Sequence, residues 1–557
     1  MTGNPVTDSG YNPFKGTKAM TKNEKANVFN VRNFNAIGNG KDKDTAAIQK
    51  AINVCTESGG GVVYCPPGKY LIGTIYLKSN VEFHLEAGAT ILGSPDRADY
   101  DNNEKANDFC KNQLASLYIV HLICARNARN VAITGLGTID GNGRAFFVPF
   151  VPGAPGAPGV GYSWRLAVRD WRPGHLLAFI ECQDVLVRDV HIVDSPCFTI
   201  WPLGCDRVRI QGVVVLNNRD APNTDGIDPD CCNDVRISDC YLYCADDCIA
   251  LKTNTAILGK ERACENITVT NCTLITPRCG VRIGCEGDGP IRNCTFSNLV
   301  MSNTRTGINM LVPRSAKYRV EHGPTIENVS FSNIVMDTKI AIFLWIGDDA
   351  SSPGCIRNIH IANVSAAAVR GCYIGGSKTI PIEDLRIANM KLTLRGEMDD
   401  LLSEVPYPYG IWDYWPKPQS KIQTHGLPYG FYGRYVKGLS LHNIEVEWKD
   451  VTGPWRSALR CENVENVDIN GLVTRSEPGL IEGPMVHLTD VRGAFLRGCR
   501  AEAETGSFLK LDGALSSGIA VIGNDLSISK KAFDVADDVP SNAFQQTANL
   551  LSLGGQK

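Results

Sequence analysis

No run of about eighteen apolar residues occurs anywhere in the chain, so the sequence gives no reason to expect a membrane-spanning helix. The opening Met1 to Asn30 lacks the apolar core of a secretory leader; it is polar and rich in Lys, Asn, Gly and Thr. That leaves a cytosolic protein, or one whose leader has been removed. An excess of either charge is also missing, with 56 Lys and Arg against 59 Asp and Glu, a net charge of -3. The cations are scattered rather than clustered, so no nucleic-acid surface and no membrane contact is expected. Although the chain holds 21 cysteines, paired CxxC elements with zinc spacing are absent, and the expectation is no metal and no cofactor.

What the chain does have is room for a large core, 43% of 557 residues being hydrophobic. Length alone would suggest three or four domains, but repetition argues for fewer. From Val185 onward one pattern recurs, an Asn or Asp followed by alternating apolar and variable residues. It reads Asp184-Val185-Leu186-Val187, Asp206 to Ile210, Asp234 to Ile237, Asn266 to Val269, Asn328 to Phe331, Asn358 to Ile361 and Asp384 to Ile387. Weaker copies follow at Gly438, Asn466 and Gly518. The alternation has the period of a strand and is rich in β-branched residues. Short strands at spacings of roughly 22 to 35 residues, separated by Gly, Asn, Asp and Pro turns, stack most simply as coils of a parallel β-helix. Asn and Cys ladders are expected to line its interior, with Cys240, Cys272 and Cys294 as stacked core thiols.

The N-terminal portion reads differently. Asp44 to Ile52 predicts an amphipathic helix capped by Asp44 and closing the open end of the solenoid. Residues 1–30 read as a polar extension, 31–530 as the β-helix, and 531–557 as a C-terminal tail. Insertions near 146–175 and 396–432 are the expected walls of a cleft.

The densest chemical signal lies between Asn223 and Lys252, in Asn223-Thr224-Asp225-Gly226-Ile227-Asp228 and Asp246-Asp247-Cys248-Ile249-Ala250-Leu251-Lys252. Carboxylates repel one another and are costly to desolvate, so a cluster on a rigid scaffold usually serves a metal or acid–base chemistry. A lone Asp in a solenoid is more often a turn former, and Asp228 and Asp230 are read that way. The trio Asp225, Asp246 and Asp247 is read as catalytic.

From about Phe34 to Val446 the chain resembles glycoside hydrolase family 28, the polygalacturonase and rhamnogalacturonase group of right-handed parallel β-helices. The resemblance is carried by Asn33 to Gly40 with Asp44-Thr45, by Gly135 to Gly143, and most specifically by Asn223 to Asp230 with Asp246 to Lys252. It implies Asp246 as general acid and Asp225 with Asp247 as the pair activating water. An inverting mechanism of that kind separates acid and base by roughly 6.5–9.5 Å. Two departures matter. Cys279 stands where the family has the histidine of Gly-His-Gly, and Asn309 and Leu311 stand where it has the cations of Arg-Ile-Lys.

Arg282 and Arg305 are candidate substitute cations; with Asn223, Lys252, Asn309, Trp412 and Trp415 they form the expected substrate-binding set. Lys252 could instead orient a carboxylate. Trp412 and Trp415, with Tyr407, Tyr409 and Tyr414, suit stacking on sugar faces, and loop self-packing is an equal alternative. His175 and His425 read as solvated loop histidines, and Trp201 as packing.

The resulting expectation is an inverting, cofactor-free hydrolase of a pectin-like poly- or oligosaccharide, galacturonide or rhamnogalacturonan in type, exo-acting. A polysaccharide lyase or epimerase on the same fold, or a non-catalytic glycan-binding solenoid, stays open. The substrate class argues for a secreted or periplasmic protein, the odd cysteine count for a reducing compartment.

Overall fold

Each repeat begins with a residue that must turn the chain through the left-handed region, and this is why Asn and Asp recur there. Asp184, Asp234, Asn266, Asn293, Asn328, Asn358, Asp384 and Asn466 all have φ between 51° and 58°, a conformation that Asn and Asp tolerate better than other side chains. In the copy at Asp206 the turning residue is Arg207. In the computed structural model, which describes residues 27–101, 120–149, 166–312, 323–347, 354–397, 428–452, 455–480 and 483–551, the strands after these corners stack in register. One continuous file runs Val131, Val185, Val208, Val235, Ile267, Cys294, Val329, Ile359, Leu385, Leu439, Val467, Ala494, Ile519 and Phe544.

A second file runs from Ile139 through Ile192, Val215, Leu242, Leu274, Met301 and Met336. A third face carries Ile123, Leu177 and Ile200, then Ile227, Ile249, Val281, Ile308 and Ile342. Three parallel ladders meeting at corners make a right-handed parallel β-helix. Its core is a stack of like residues: Phe296 and Phe331 on adjacent coils lie 4.6 Å apart with ring planes within 8°. Pairing begins where Val28 meets Val62 and continues to Thr547 opposite Ile522, so the ladder runs past residue 530.

The asparagine ladders lie outside the core. Asn298, Asn333, Asn363, Asn389 and Asn443 are joined amide to amide at 3.0–3.2 Å along an exposed corner. The physical reason is that a corner must face water to satisfy its turn, whereas the interior has no polar partners to offer. The cysteines do lie inside. Among the described residues twenty are free, nineteen of them buried. Cys240 and Cys272 stack on consecutive coils, whereas Cys294 belongs to the neighbouring file beside Ile267.

Helix Thr45–Glu57 buries Ile48, Ala51, Ile52 and Cys55 against the first coils. Asp44 occupies its N-cap position without capping it. The carboxylate instead accepts from the backbone N–H groups of Ile37 and Gly38 (3.0 Å for Gly38), tying the preceding loop to the helix. The insertion near 146–175 starts and ends in an antiparallel ribbon pairing Phe147–Pro149 with Leu166–Val168. Residues 150–165 lie outside the described residues, as do 1–26 and most of 396–432, where the ladder resumes at strand Tyr429–Arg434. Among the described residues no helix is long and apolar enough to cross a membrane.

Candidate active site

Gly226 lets the site form. A Cβ there would sit 2.5 Å from the Cys248 carbonyl oxygen, so only glycine allows the coil bearing Asp225 to pair with the coil bearing Asp247, whose carbonyl accepts from Gly226 N–H at 2.9 Å. Asn223 (φ 55°) turns the chain immediately before. Its side-chain oxygen accepts from Arg172 at 2.9 Å, while Arg172 also donates to the carbonyls of Pro196 and Pro222. Asn223 therefore anchors the Asp225 turn from behind.

These contacts bring Asp225, Asp246 and Asp247 together, all buried, with one oxygen from each lying within 4.8 Å of the others. That is shorter than the 6.5–9.5 Å span expected for an inverting pair. Such closeness could grip a cation, but the flanks of the cluster are already furnished with positive charge. Arg282 Nε is 2.9 Å from Asp247 Oδ2. Arg278, also buried, acts on Asp246, and Lys252 Nζ lies 3.8 Å from Asp225 Oδ2. Lys252 is 2% exposed and faces Asp228 (3.1 Å) and Glu286 (3.4 Å) as well.

Five carboxyls, Asp225, Asp228, Asp246, Asp247 and Glu286, thus share three cations, and the surplus negative charge is relieved by protons. Burial, then repulsion from Asp247, holds Asp246 up at about 6. Burial raises Asp228 to about 7 against the pull of Lys252. Asp225 is pushed well above the usual carboxylate range by burial and by Asp228 and Asp246. Asp247 is held differently: besides Arg282 it accepts the Cys279 backbone N–H at 3.1 Å. Thr276 ties down the preceding residue, donating its hydroxyl to the Asp246 carbonyl and accepting the Arg278 backbone N–H.

The other expected residues fall in several places. Arg282 pairs with Asn309 across adjacent strands, and Asn309 is fully buried with neither side-chain amide atom hydrogen-bonded. Arg305 enters at a corner, its backbone N–H donating to the Arg278 carbonyl at 2.9 Å; the cations at the carboxylates are Arg278, Arg282 and Lys252. Trp412 and Trp415 lie outside the described residues, with Tyr407, Tyr409, Tyr414 and His425. His175 is not a solvated loop residue. It is fully buried, stacked on Trp201 at 4.0 Å and edge-on to Phe198, because the insertion folds it against the sheet. Asp230 is structural, accepting from Asn254 and the Trp201 indole.

Sequence reasoning did not single out Arg278, Glu286, Arg172 or Phe198 as site residues. It also missed an aromatic file: the ladder position of Arg282 and Asn309 continues as Phe343, Tyr373 and Tyr432. Their rings stack at 5.0 and 5.8 Å. The available signal was an aromatic at the same offset in successive strands, visible only once the register is known.

Three buried carboxyls are thus held together beside one sheet of a parallel β-helix, and sequence comparison supplies the family. Residues 106–407 match the family model for glycosyl hydrolases family 28, and residues 28–117 match one described as rhamnogalacturonase A/epimerase, pectate lyase-like. The chain belongs to glycosyl hydrolases family 28. It is 27% identical over 335 residues to a probable polygalacturonase of Vitis vinifera, an alignment spanning 59% of this chain and 64% of the relative. Its fold is similar to that of a family 28 exopolygalacturonase of Yersinia enterocolitica (TM-score 0.54, 18% identity, covering 84% of this chain and 78% of that one). It is also similar to that of a polygalacturonase from Erwinia carotovora ssp. carotovora (TM-score 0.51, 21% identity, 68% and 96%).

Proposed function

We propose that the protein is a glycoside hydrolase that cleaves a pectin-type poly- or oligosaccharide with water as the nucleophile. The observation that carries this reading is the buried trio Asp225, Asp246 and Asp247, in which burial holds the Asp246 proton up to about 6 while Asp247 is ion-paired to Arg282. A glycosidase needs such a split, one carboxyl neutral to protonate the leaving oxygen and one charged to act on water. Asp246, with its proton retained to about 6, is the general acid. Asp247, held by Arg282 and the Cys279 N–H, is the partner that with Asp225 activates water. Oxygens within 4.8 Å of each other can be bridged by one water at ordinary hydrogen-bond lengths.

The same short spacing favours a second reading, a retaining route in which a carboxylate attacks carbon directly. Proton NMR of the first-formed product separates the two. Inversion at the anomeric carbon supports the water route, and retention supports the covalent one. A lyase product with an ultraviolet-absorbing unsaturated end, or an intact polymer, would defeat both.

The pocket beside the cleaved bond favours a neutral or deoxy sugar. Asn309, fully buried, and Leu311, 6% exposed, put no cation at this place in the ladder, so nothing there would pair with a galacturonate carboxylate. Exo action is the expected mode, and a polysaccharide substrate implies export.

A further inference from the structure

We propose that Lys252 is a positioning residue that, through its shared contacts with Asp228 and Glu286, governs whether Asp225 is charged and so whether water can be activated. This rests on the hydrolase reading above and adds a control to it. Lys252 is as buried as the carboxyls around it, and its ammonium is turned to them. Its ammonium is surrounded from several coils: Asp225 and Asp228 precede it on one coil, strand Cys279–Gly287 brings Glu286 from the next, and the Phe198 ring lies 3.9 Å from Nζ.

Each member of the trio has one principal cation. Asp247 has Arg282, Asp246 has Arg278, and Asp225 has Lys252. The last is shared at ion-pair distance with two more carboxyls, because Asp228 and Glu286 both lie nearer to Nζ than Asp225 does. Asp225 Oδ1 and Asp228 Oδ1 are both buried without a hydrogen-bond partner. When Asp228 carries a proton, the attraction it exerts on Lys252 falls and Asp225 gains the cation; when Asp228 is charged, it competes for the ammonium and repels Asp225. Burial that keeps Asp228 protonated up to about 7 places this exchange near neutral pH. The remaining charges facing the group are Asp230, Asp246, Asp247, Arg278 and Arg282, with Arg278 and Arg282 both acting on Asp246.

The test is the pH profile of kcat/KM on a pectic oligosaccharide for wild type, Lys252→Met, Lys252→Arg and Asp228→Asn. A charge partner at this distance shifts a buried carboxyl by about one unit or more. Lys252→Met should therefore move the acid limb up by about that much, Asp228→Asn should move it down, and Lys252→Arg should leave it near wild type. Infrared titration of the protonated-carboxyl stretch reads the same ionisation without substrate, and Lys252→Met should gain one protonated carboxyl near neutral pH. If Lys252→Met does not fold, the downward shift in the near-isosteric Asp228→Asn carries the test. Lower rates with unmoved limbs and an unchanged infrared count would overturn the proposal and reduce Lys252 to a structural residue. The infrared gain without any saturated product would sink the hydrolase reading and leave the charge assignment standing.

Discussion

Arg282 Nε lies 2.9 Å from Asp247 Oδ2, and this contact separates two consecutive carboxyls that the sequence leaves equivalent. Asp247 is held between the guanidinium and the Cys279 N–H. Asp246, one residue earlier, is buried with its proton held to about 6.

Asp246→Asn removes the proton donor while keeping shape. Turnover should fall at least about 100-fold, the typical worth of general acid catalysis, with oligosaccharide affinity by calorimetry near that of wild type. A variant retaining more than about a tenth of wild-type rate would contradict the acid assignment.

The pH dependence follows from the same group. Activity needs Asp246 protonated, so kcat/KM should decline as pH rises through about 6. For stability the sign is opposite to the usual carboxylate. The folded state holds this proton more tightly than the unfolded chain, whose value is 3.8, so the contribution is full below 3.8 and is lost as pH rises through about 6. Asp246→Asn should therefore raise Tm at pH 7 by about 1–3 °C and flatten its rise toward acid pH, measured by calorimetry.

Cys279 is placed to orient rather than to attack. Its thiol is buried, pushed up by burial and by Asp247, and receives an Arg282 N–H at 3.4 Å. Cys279→Ser should keep activity within about tenfold, and no thiol reagent should label it with substrate protection. A glycosyl adduct on Cys279 in a mass spectrum would refute this.

Substrate preference can be read by product sizing. Release of small products from a rhamnose-containing or branched pectic glycan, with slow attack on plain polygalacturonate, is the expected outcome. Rapid loss of polygalacturonate viscosity with mixed oligomers appearing early would contradict both the neutral-sugar pocket and exo action.

Much of the fold was legible because a solenoid repeats its constraints. Asn or Asp before an alternating strand recurs at Asp184, Asp234, Asn266, Asn328 and Asn358, and each is a left-handed corner feeding the same file. The position of the asparagine ladders was misread because strand alternation says which residues share a face, not that a turning residue must stay outside. Asp44 was misread for a related reason: an N-cap position is local, whereas the loop N–H groups of Ile37 and Gly38 that occupy its carboxylate arrive through the tertiary path of the chain.

By itself the sequence determined a coiled stack of parallel strands, because the period of its apolar residues and the chemistry of its corners admit little else, and it determined the acids, because their clustering has a desolvation cost that rarely persists without use. Only the tertiary structure decided which cation serves which carboxyl. Lys252 reaches the site from one coil and Arg278, Arg282 and Glu286 from the next, and the one-residue alternation of a strand decides whether each side chain points at the carboxylates or away from them. That choice depends on register between coils about 4.8 Å apart, a relation between distant segments that no local pattern of residues records.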